Sequence, residues 1–244
     1  MNLEKKYCRA NIGKVFRTNE GYDLEVVDGG SRKNYCTIQI KEWVSEVLHQ
    51  HAQSGEIKYP FHLSILNIAC FGEGKYSRSE NRMAYNRWRH MLERCYDEDQ
   101  RQKHPTYVDC VVSDEWLNFQ NFARWHERYY PTDGKKYELD KDIRVTGNNV
   151  YGKDTCIFIT KELNAFMANI FSNNTSGYTG VSRDGKGKKY NATICIDGKN
   201  RHLGVSVSAK EASLLYLAER ENQSARWRRY YSFDYPKSIL SNIT

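Results

Sequence analysis

Two stretches of this chain carry residues whose types and spacing suit one shared piece of chemistry. Leu139-Asp140-Lys141-Asp142-Ile143 reads as a short strand bearing two carboxylates. Cys156-Ile157-Phe158-Ile159-Thr160-Lys161-Glu162-Leu163-Asn164 reads as an apolar strand running into a helix, and Gly147-Asn148-Asn149-Val150-Tyr151 supplies the turn between them. Strand, turn, strand and helix start in that order bring Asp140 and Asn164 within reach of a single ion. A hard divalent cation takes oxygen ligands and keeps several waters. Next to a phosphodiester it would neutralise the phosphate and stabilise the leaving oxygen, while a base activates the attacking water. Mg²⁺ or Mn²⁺ held by Asp140 and Asn164 is therefore the expected cofactor.

The elements that must position these residues belong to a chain of 244 residues with four prolines and no long polar linker, which predicts two or three closely joined modules. No apolar run approaches the roughly 20 residues of a bilayer crossing. The polar start Met1-Asn2-Leu3-Glu4-Lys5-Lys6 does not resemble a secretory leader, so a soluble, cytoplasmic protein is expected. The seven cysteines are scattered without a close C-x-x-C pair, which argues against a zinc knuckle or redox motif and for buried free thiols.

Residues 1–80 read as a strand-rich module and a connecting arm. Strands are predicted over 21–28 and 35–40, joined through the Gly29-Gly30 turn, with a short helix around 42–51. Residues 58–80, with Gly72-Glu73-Gly74, form the arm. From Arg82, Tyr85, Trp88, Met91, Leu92, Cys95 and Tyr96 recur at helical spacing. A strand over 107–112 follows, then a second amphipathic helix opening at Ser113 with Trp116, Phe119, Phe122 and Trp125 as core. Thr160 is a natural N-cap for a helix carrying Leu163, Phe166, Met167 and Ile170, and residues 173–177 are a polar joint. Beyond it lie strands over 179–183, 189–196 and 201–205, then a helix opened by the capping box Ser208-Ala209-Lys210-Glu211.

Net charge is +7, and residues 173–244 hold twelve Lys and Arg against six acids, so nearly all the excess sits there. A basic module interleaved with tyrosines is the footprint of a polyanion partner. Within it, Arg226-Trp227-Arg228-Arg229-Tyr230-Tyr231 either grips a nucleic-acid backbone or docks its aromatics onto the helix.

The central stretch resembles the HNH homing-endonuclease superfamily, particularly the group of bacteriophage free-standing endonucleases. The resemblance covers about residues 82–169, through Tyr85-Asn86-Arg87-Trp88, Met91-Leu92-Glu93-Arg94-Cys95-Tyr96, Tyr107, Glu115-Trp116-Leu117-Asn118-Phe119, Phe122, Leu139-Asp140-Lys141-Asp142-Ile143, Gly147-Asn148, Tyr151, Cys156-Ile157-Phe158 and Asn164. It implies a ββα-metal fold with Asp140 and Asn164 as metal ligands. The family's loop-shaping asparagine falls on Asn148 or Asn149. Where many members carry histidine as general base, this chain has Lys141, whose ordinary pKa of about 10.4 leaves it charged. Either burial depresses Lys141, or another group serves, with His104 first and Tyr151 and His126 as alternatives. Lys141 could instead clamp a phosphate oxygen.

Gly177-Tyr178-Thr179-Gly180-Val181-Ser182-Arg183, Lys189-Tyr190-Asn191-Ala192-Thr193-Ile194-Cys195-Ile196, Lys199, Leu203-Gly204 and Glu211-Ala212 resemble an Apetala-type DNA-binding domain. That resemblance implies a three-stranded sheet packed on one helix and entering the major groove. A period-two reading puts Arg183, Lys188, Lys189, Tyr190, Thr193, Lys199, Arg201 and His202 toward DNA.

The expected architecture is therefore α+β: a strand-rich N-terminal module over 1–80, a ββα-metal nuclease domain over 81–172, and a C-terminal sheet and helix over 173–244. The expected activity is site-specific, metal-dependent hydrolysis of duplex DNA by a homing-type endonuclease in the cytoplasm of a phage-infected bacterium, with catalytic positions Asp140, Lys141, His104 and Asn148. No membrane and no obligate protein partner are inferred. The rival reading is a sequence-specific DNA-binding phage protein on a degenerate nuclease scaffold, and a weaker one is an RNA substrate stacked on the tyrosine-rich surface.

Overall fold

The computed structural model describes residues 11–145, 147–167, 176–185 and 187–231. The protein is α+β, and its chain forms two compact units, one from residues 1–77 and 117–120, the other from 78–116 and 121–244.

In the first unit, β1 (Val15–Arg17), β2 (Asp23–Gly29), β3 (Tyr35–Ile40) and β4 (Trp43–Leu48) pair in chain order as an antiparallel sheet, followed by α1 (His49–Ser54). Leu24, Val26, Cys36, Ile38 and Ile40 alternate inward and close a core with Ala52. The expected helix over 42–51 is instead mostly strand. Lys41, at φ 52, turns the chain back after Ile40, and Trp43 through Leu48 then pair residue by residue with β3. Helix begins only at His49. Residues 117–120 belong here because the Gln120 side chain brackets Tyr76, accepting from its N–H and donating to its carbonyl, both at 3.0 Å.

In the second unit, α2 (Arg82–Tyr96) buries Ala84, Trp88, Met91, Leu92 and Cys95, the stripe its three-and-four spacing implies. Asp97 caps α3 (Glu98–Lys103) by accepting from the Gln100 N–H at 3.0 Å. The strand expected over 107–112 shrinks to β5 (Val111–Val112), after a 3-10 turn at Pro105–Tyr107. The next helix opens with a 3-10 turn at Asp114–Leu117 before α4 (Phe119–Tyr129), whose residues from Asn121 belong to this unit. Trp116, Phe122 and Trp125 pack ring against ring inside it.

β6 (Tyr137–Asp140) pairs antiparallel with β8 (Ile157–Thr160), while β7 (Val150–Tyr151) runs parallel to β5. Thr160 caps α5 (Lys161–Met167), its hydroxyl accepting from the Leu163 N–H at 3.3 Å. Ile170 and most of the expected joint over 173–177 lie outside the described residues. β9 (Val181–Arg183), β10 (Tyr190–Ile196) and β11 (Lys199–Ser206) form a sheet in the order β11-β10-β9, covered on one face by α6 (Ala209–Tyr230). Gly180 sits at φ 72 against the Tyr216 ring of α6, where a Cβ would lie 2.0 Å from a ring carbon, so only glycine fits there. Six cysteines are described and none of them forms a disulfide; five are buried and Cys195 is exposed.

Candidate functional site

Strand register places the acids of β6. Tyr137 lies opposite Thr160, Glu138 opposite Ile159, Leu139 opposite Phe158, and Asp140 opposite Ile157. Residues opposite one another share a face, so Glu138 and Asp140 stand on the side of Ile157 and Ile159. Those two isoleucines pack with Leu163 and Phe166 of α5. Two strands and a helix thus gather both carboxylates and Asn164 on the face that α5 covers.

The loop after β6 is tied by side chains. Oδ1 of Asp140 accepts the backbone N–H groups of Asp142 at 3.0 Å and Ile143 at 2.8 Å. Asn148 donates through Nδ2 to the carbonyls of Lys141 at 3.1 Å and Val150 at 2.7 Å, and its Oδ1 accepts from the Val150 N–H at 3.1 Å. That bridging sets the loop's closure. Burial pushes the Asp140 carboxyl above the usual aspartate value, against the pull of the Ile143 N–H.

Asn164 gives its Nδ2 hydrogen to Oε2 of Glu138. Its carboxamide oxygen, the atom a hard cation takes, is not spent in that bond. Asp140 likewise uses one carboxylate oxygen for the loop. Glu138, Asp140 and Asn164 place oxygen donors, the kind Mg²⁺ or Mn²⁺ takes, on one face of the β6–β8 pair. Among the described residues, no three His, Cys, Asp or Glu side chains converge as a metal-binding group. Glu138 is the residue sequence reasoning missed. Its signal was there, two positions before Asp140 in a strand and hence on the same face.

The groups considered as base are spread apart. Lys141 is 7% exposed, and its Nζ donates to Oδ1 of Asp142 at 2.6 Å and to the Asn148 carbonyl at 2.7 Å. Burial acts to lower its pKa, but the Asp142 carboxylate outweighs that and holds it above the ordinary lysine value, so it stays an ammonium. His126 is buried on the opposite face of the β6–β8 pair, stacked on Tyr130 and edge-on to Phe158, and burial pulls its pKa down to about 4. Tyr151 is buried, and burial raises its phenol well above the usual value. His104 is exposed after α3 and lines a cleft with His90 and Arg94, with no hydrogen bond to Asp140.

The C-terminal sheet sorts the expected DNA-facing residues onto two sides. Ala192 and Ile194 are buried on the α6 side. Tyr190 shares that side by alternation, with its cross-strand partner Arg183 set over its ring at 5.4 Å. A bulge after Ala192 shifts the register, so Arg201 pairs with Ile194 and Lys199 with Ile196, both again on the helix side. Arg201 reaches Glu219 of α6 at 3.6 Å. Thr193 and its partner His202 lie on the uncovered face with Asn191, Cys195 and Asn200. The Asp184–Lys189 backbone bond extends the ladder one residue, which brings Lys189 to the same face, while Lys188 sits in the turn.

Compared with protein-family models, curated proteins and solved structures, the chain has no match.

Proposed function

We propose that this protein binds duplex DNA and hydrolyses its phosphodiester bonds with a divalent cation held by Glu138, Asp140 and Asn164. The observation that carries the reading is the shared face of β6, where Glu138 takes a hydrogen bond from the α5 carboxamide and Asp140 stands two residues on along the same side. The cation, once bound, supplies charge neutralisation at the scissile phosphate and at the leaving oxygen. Asp140 and Asn148 keep the adjoining loop closed, and the Lys141 ammonium, anchored to Asn148 and Asp142, adds fixed positive charge beside the acids. The basic residues of the C-terminal module would supply phosphate contacts that hold the duplex. The test is incubation of supercoiled plasmid and a randomised duplex library with purified protein in Mg²⁺ or Mn²⁺. Nicks or breaks that vanish with chelator and with Asp140→Ala are expected, and intact DNA under both metals overturns hydrolysis.

One observation favours a second reading. Among the described residues no histidine is hydrogen-bonded to the Asp140 loop, and the residue after Asp140 is a charged lysine. A DNA-binding protein on the same scaffold without cleavage predicts salt-sensitive binding that Asp140→Ala leaves unchanged, with no cutting by the wild type.

A further inference from the structure

Between α2, α3 and the turn at 105–107 lies a cleft of about 510 Å³ lined by His90, Glu93, Arg94, Gln100, His104 and Tyr107. Its charge is uneven. Arg94 is half-buried, with its guanidinium 5.6 Å from the Tyr107 ring and 5.9 Å from the Tyr151 ring. Among the described residues no carboxylate lies within ion-pair distance of it. Its Nε donates to the His90 carbonyl of its own helix at 3.2 Å, and the guanidinium also bonds the Tyr107 side chain, so both of these partners are neutral. The one acid on the wall, Glu93, is neutralised by Arg89 through a 2.7 Å bond. The Asp97 carboxylate nearby is committed to the Gln100 N–H. The two exposed histidines and the Gln100 amide complete a donor-rich wall around a permanent cation.

A half-buried guanidinium without a counter-ion, walled by aromatic rings, presents a planar fork suited to two oxygens of a multi-oxygen anion. We propose that this cleft is a phosphate-binding site, with Arg94 as the anchoring fork and His90 and His104 as flanking donors. The phosphate comes either from the backbone of a bound duplex or from a strand terminus. Only that choice of source rests on the DNA reading above. The site itself does not depend on Asp140 or on cleavage.

The full-length protein is titrated with inorganic phosphate while the ring C–H resonances of His90 and His104 are followed by NMR, assigned through His90→Gln and His104→Gln. Both histidines are expected to shift together, and Arg94→Gln is expected to weaken binding about tenfold or more. Silent histidines, or an unchanged affinity in a folded Arg94→Gln protein, overturn the proposal. If Arg94→Gln fails to fold, each single histidine variant is read on the remaining histidine; weakened binding supports the site and unchanged binding overturns it. Short duplexes with and without a 5′-phosphate separate the sources. Equal shifts by both assign the backbone, and shifts only with the 5′-phosphate assign the terminus. Phosphate binding in a protein that binds no duplex defeats the DNA reading and leaves the cleft standing.

Discussion

The hydroxyl of Tyr231 accepts the backbone N–H of Thr160 at 2.9 Å, joining the residue after α6 to the cap of α5. Tyr231 is buried with Ile143, Ile157, Ile159, Leu163 and Phe166, and Trp227 packs beside it. About three turns earlier along α6, Arg220 sits 4.4 Å over the Phe166 ring and donates to the Phe166 carbonyl at 3.2 Å. The start of α6 therefore covers the C-terminal sheet while its end seals the core beneath the β6 acids. Of the two readings of Arg226-Trp227-Arg228-Arg229-Tyr230-Tyr231, the aromatics dock, onto the strands and helix of the candidate centre.

Tyr231→Phe keeps the ring and removes the acceptor, leaving the Thr160 N–H buried without a partner. The expected loss is about 1–3 kcal/mol. Tyr231→Ala adds a cavity and should cost about 3–5 kcal/mol. Denaturant unfolding of both proteins checks this, and a Phe variant as stable as wild type would show that the hydrogen bond contributes nothing.

Asp140 ties the loop after β6, and in the proposed reaction it would also hold the cation. Asp140→Asn preserves an Oδ1 acceptor for the Asp142 and Ile143 N–H groups but deletes the charge. It is expected to melt with wild type and to lose metal-dependent cleavage by roughly 100-fold or more. Asp140→Ala should lose the same cleavage and also about 1 kcal/mol of stability, as a lost cap does. Parallel melting curves and plasmid nicking assays separate the two, and equal melting of all three proteins would remove the loop-tying role.

Local chemistry was legible in the sequence where it was self-contained. The apolar stripe of α2, the Thr160 cap and the Ser208 cap, which accepts from the Glu211 N–H at 3.5 Å, each follow from residues a turn apart. What escaped depended on partners far along the chain. β4 is a strand because β3 waits beside it, and no helix-versus-strand preference within 42–51 carries that information. The parallel pairing of β5 with β7 joins residues nearly forty apart. Strand alternation gave the period of the basic residues but not which parity faces α6, and the bulge at Ala192 moved Arg201 and Lys199 to the covered side. Glu138 escaped because the resemblance singles out Asp140 alone, although alternation places both on one face.

His126 offers a pH test. It is buried with its Nε2 unpartnered, and its pKa falls from the ordinary 6.5 to about 4, first through burial and then through the Arg87 guanidinium. The folded protein therefore binds fewer protons here than the unfolded chain between those values, so stability is fully present above pH 6.5 and lost as the pH falls toward 4. The loss is on the order of 3 kcal/mol. His126→Phe keeps the stack on Tyr130 and removes the titration. Its stability from pH 7 to 4.5 should fall less than that of wild type, and identical slopes in the two proteins would remove His126 from the acid response.

The uncovered face of the C-terminal sheet separates two kinds of basic residue that look alike in sequence. Lys189 stands with Thr193 and His202 on the open side, whereas Arg201 is turned toward α6 with Glu219 at 3.6 Å. If the open face meets the duplex, Lys189→Gln should flatten the slope of log K against log salt by about 1, the value of one lost phosphate contact. Arg201→Gln should flatten it by less, since its charge is already shared with an acid on its own side of the sheet. Thr193→Ala should change discrimination among duplex sequences more than it changes the salt slope, because a neutral hydroxyl can bond a base edge but neutralises no phosphate charge. Fluorescence anisotropy across a salt series measures all three, and a larger salt effect from Arg201 than from Lys189 would mean that the helix side of the sheet, not the open side, faces the DNA.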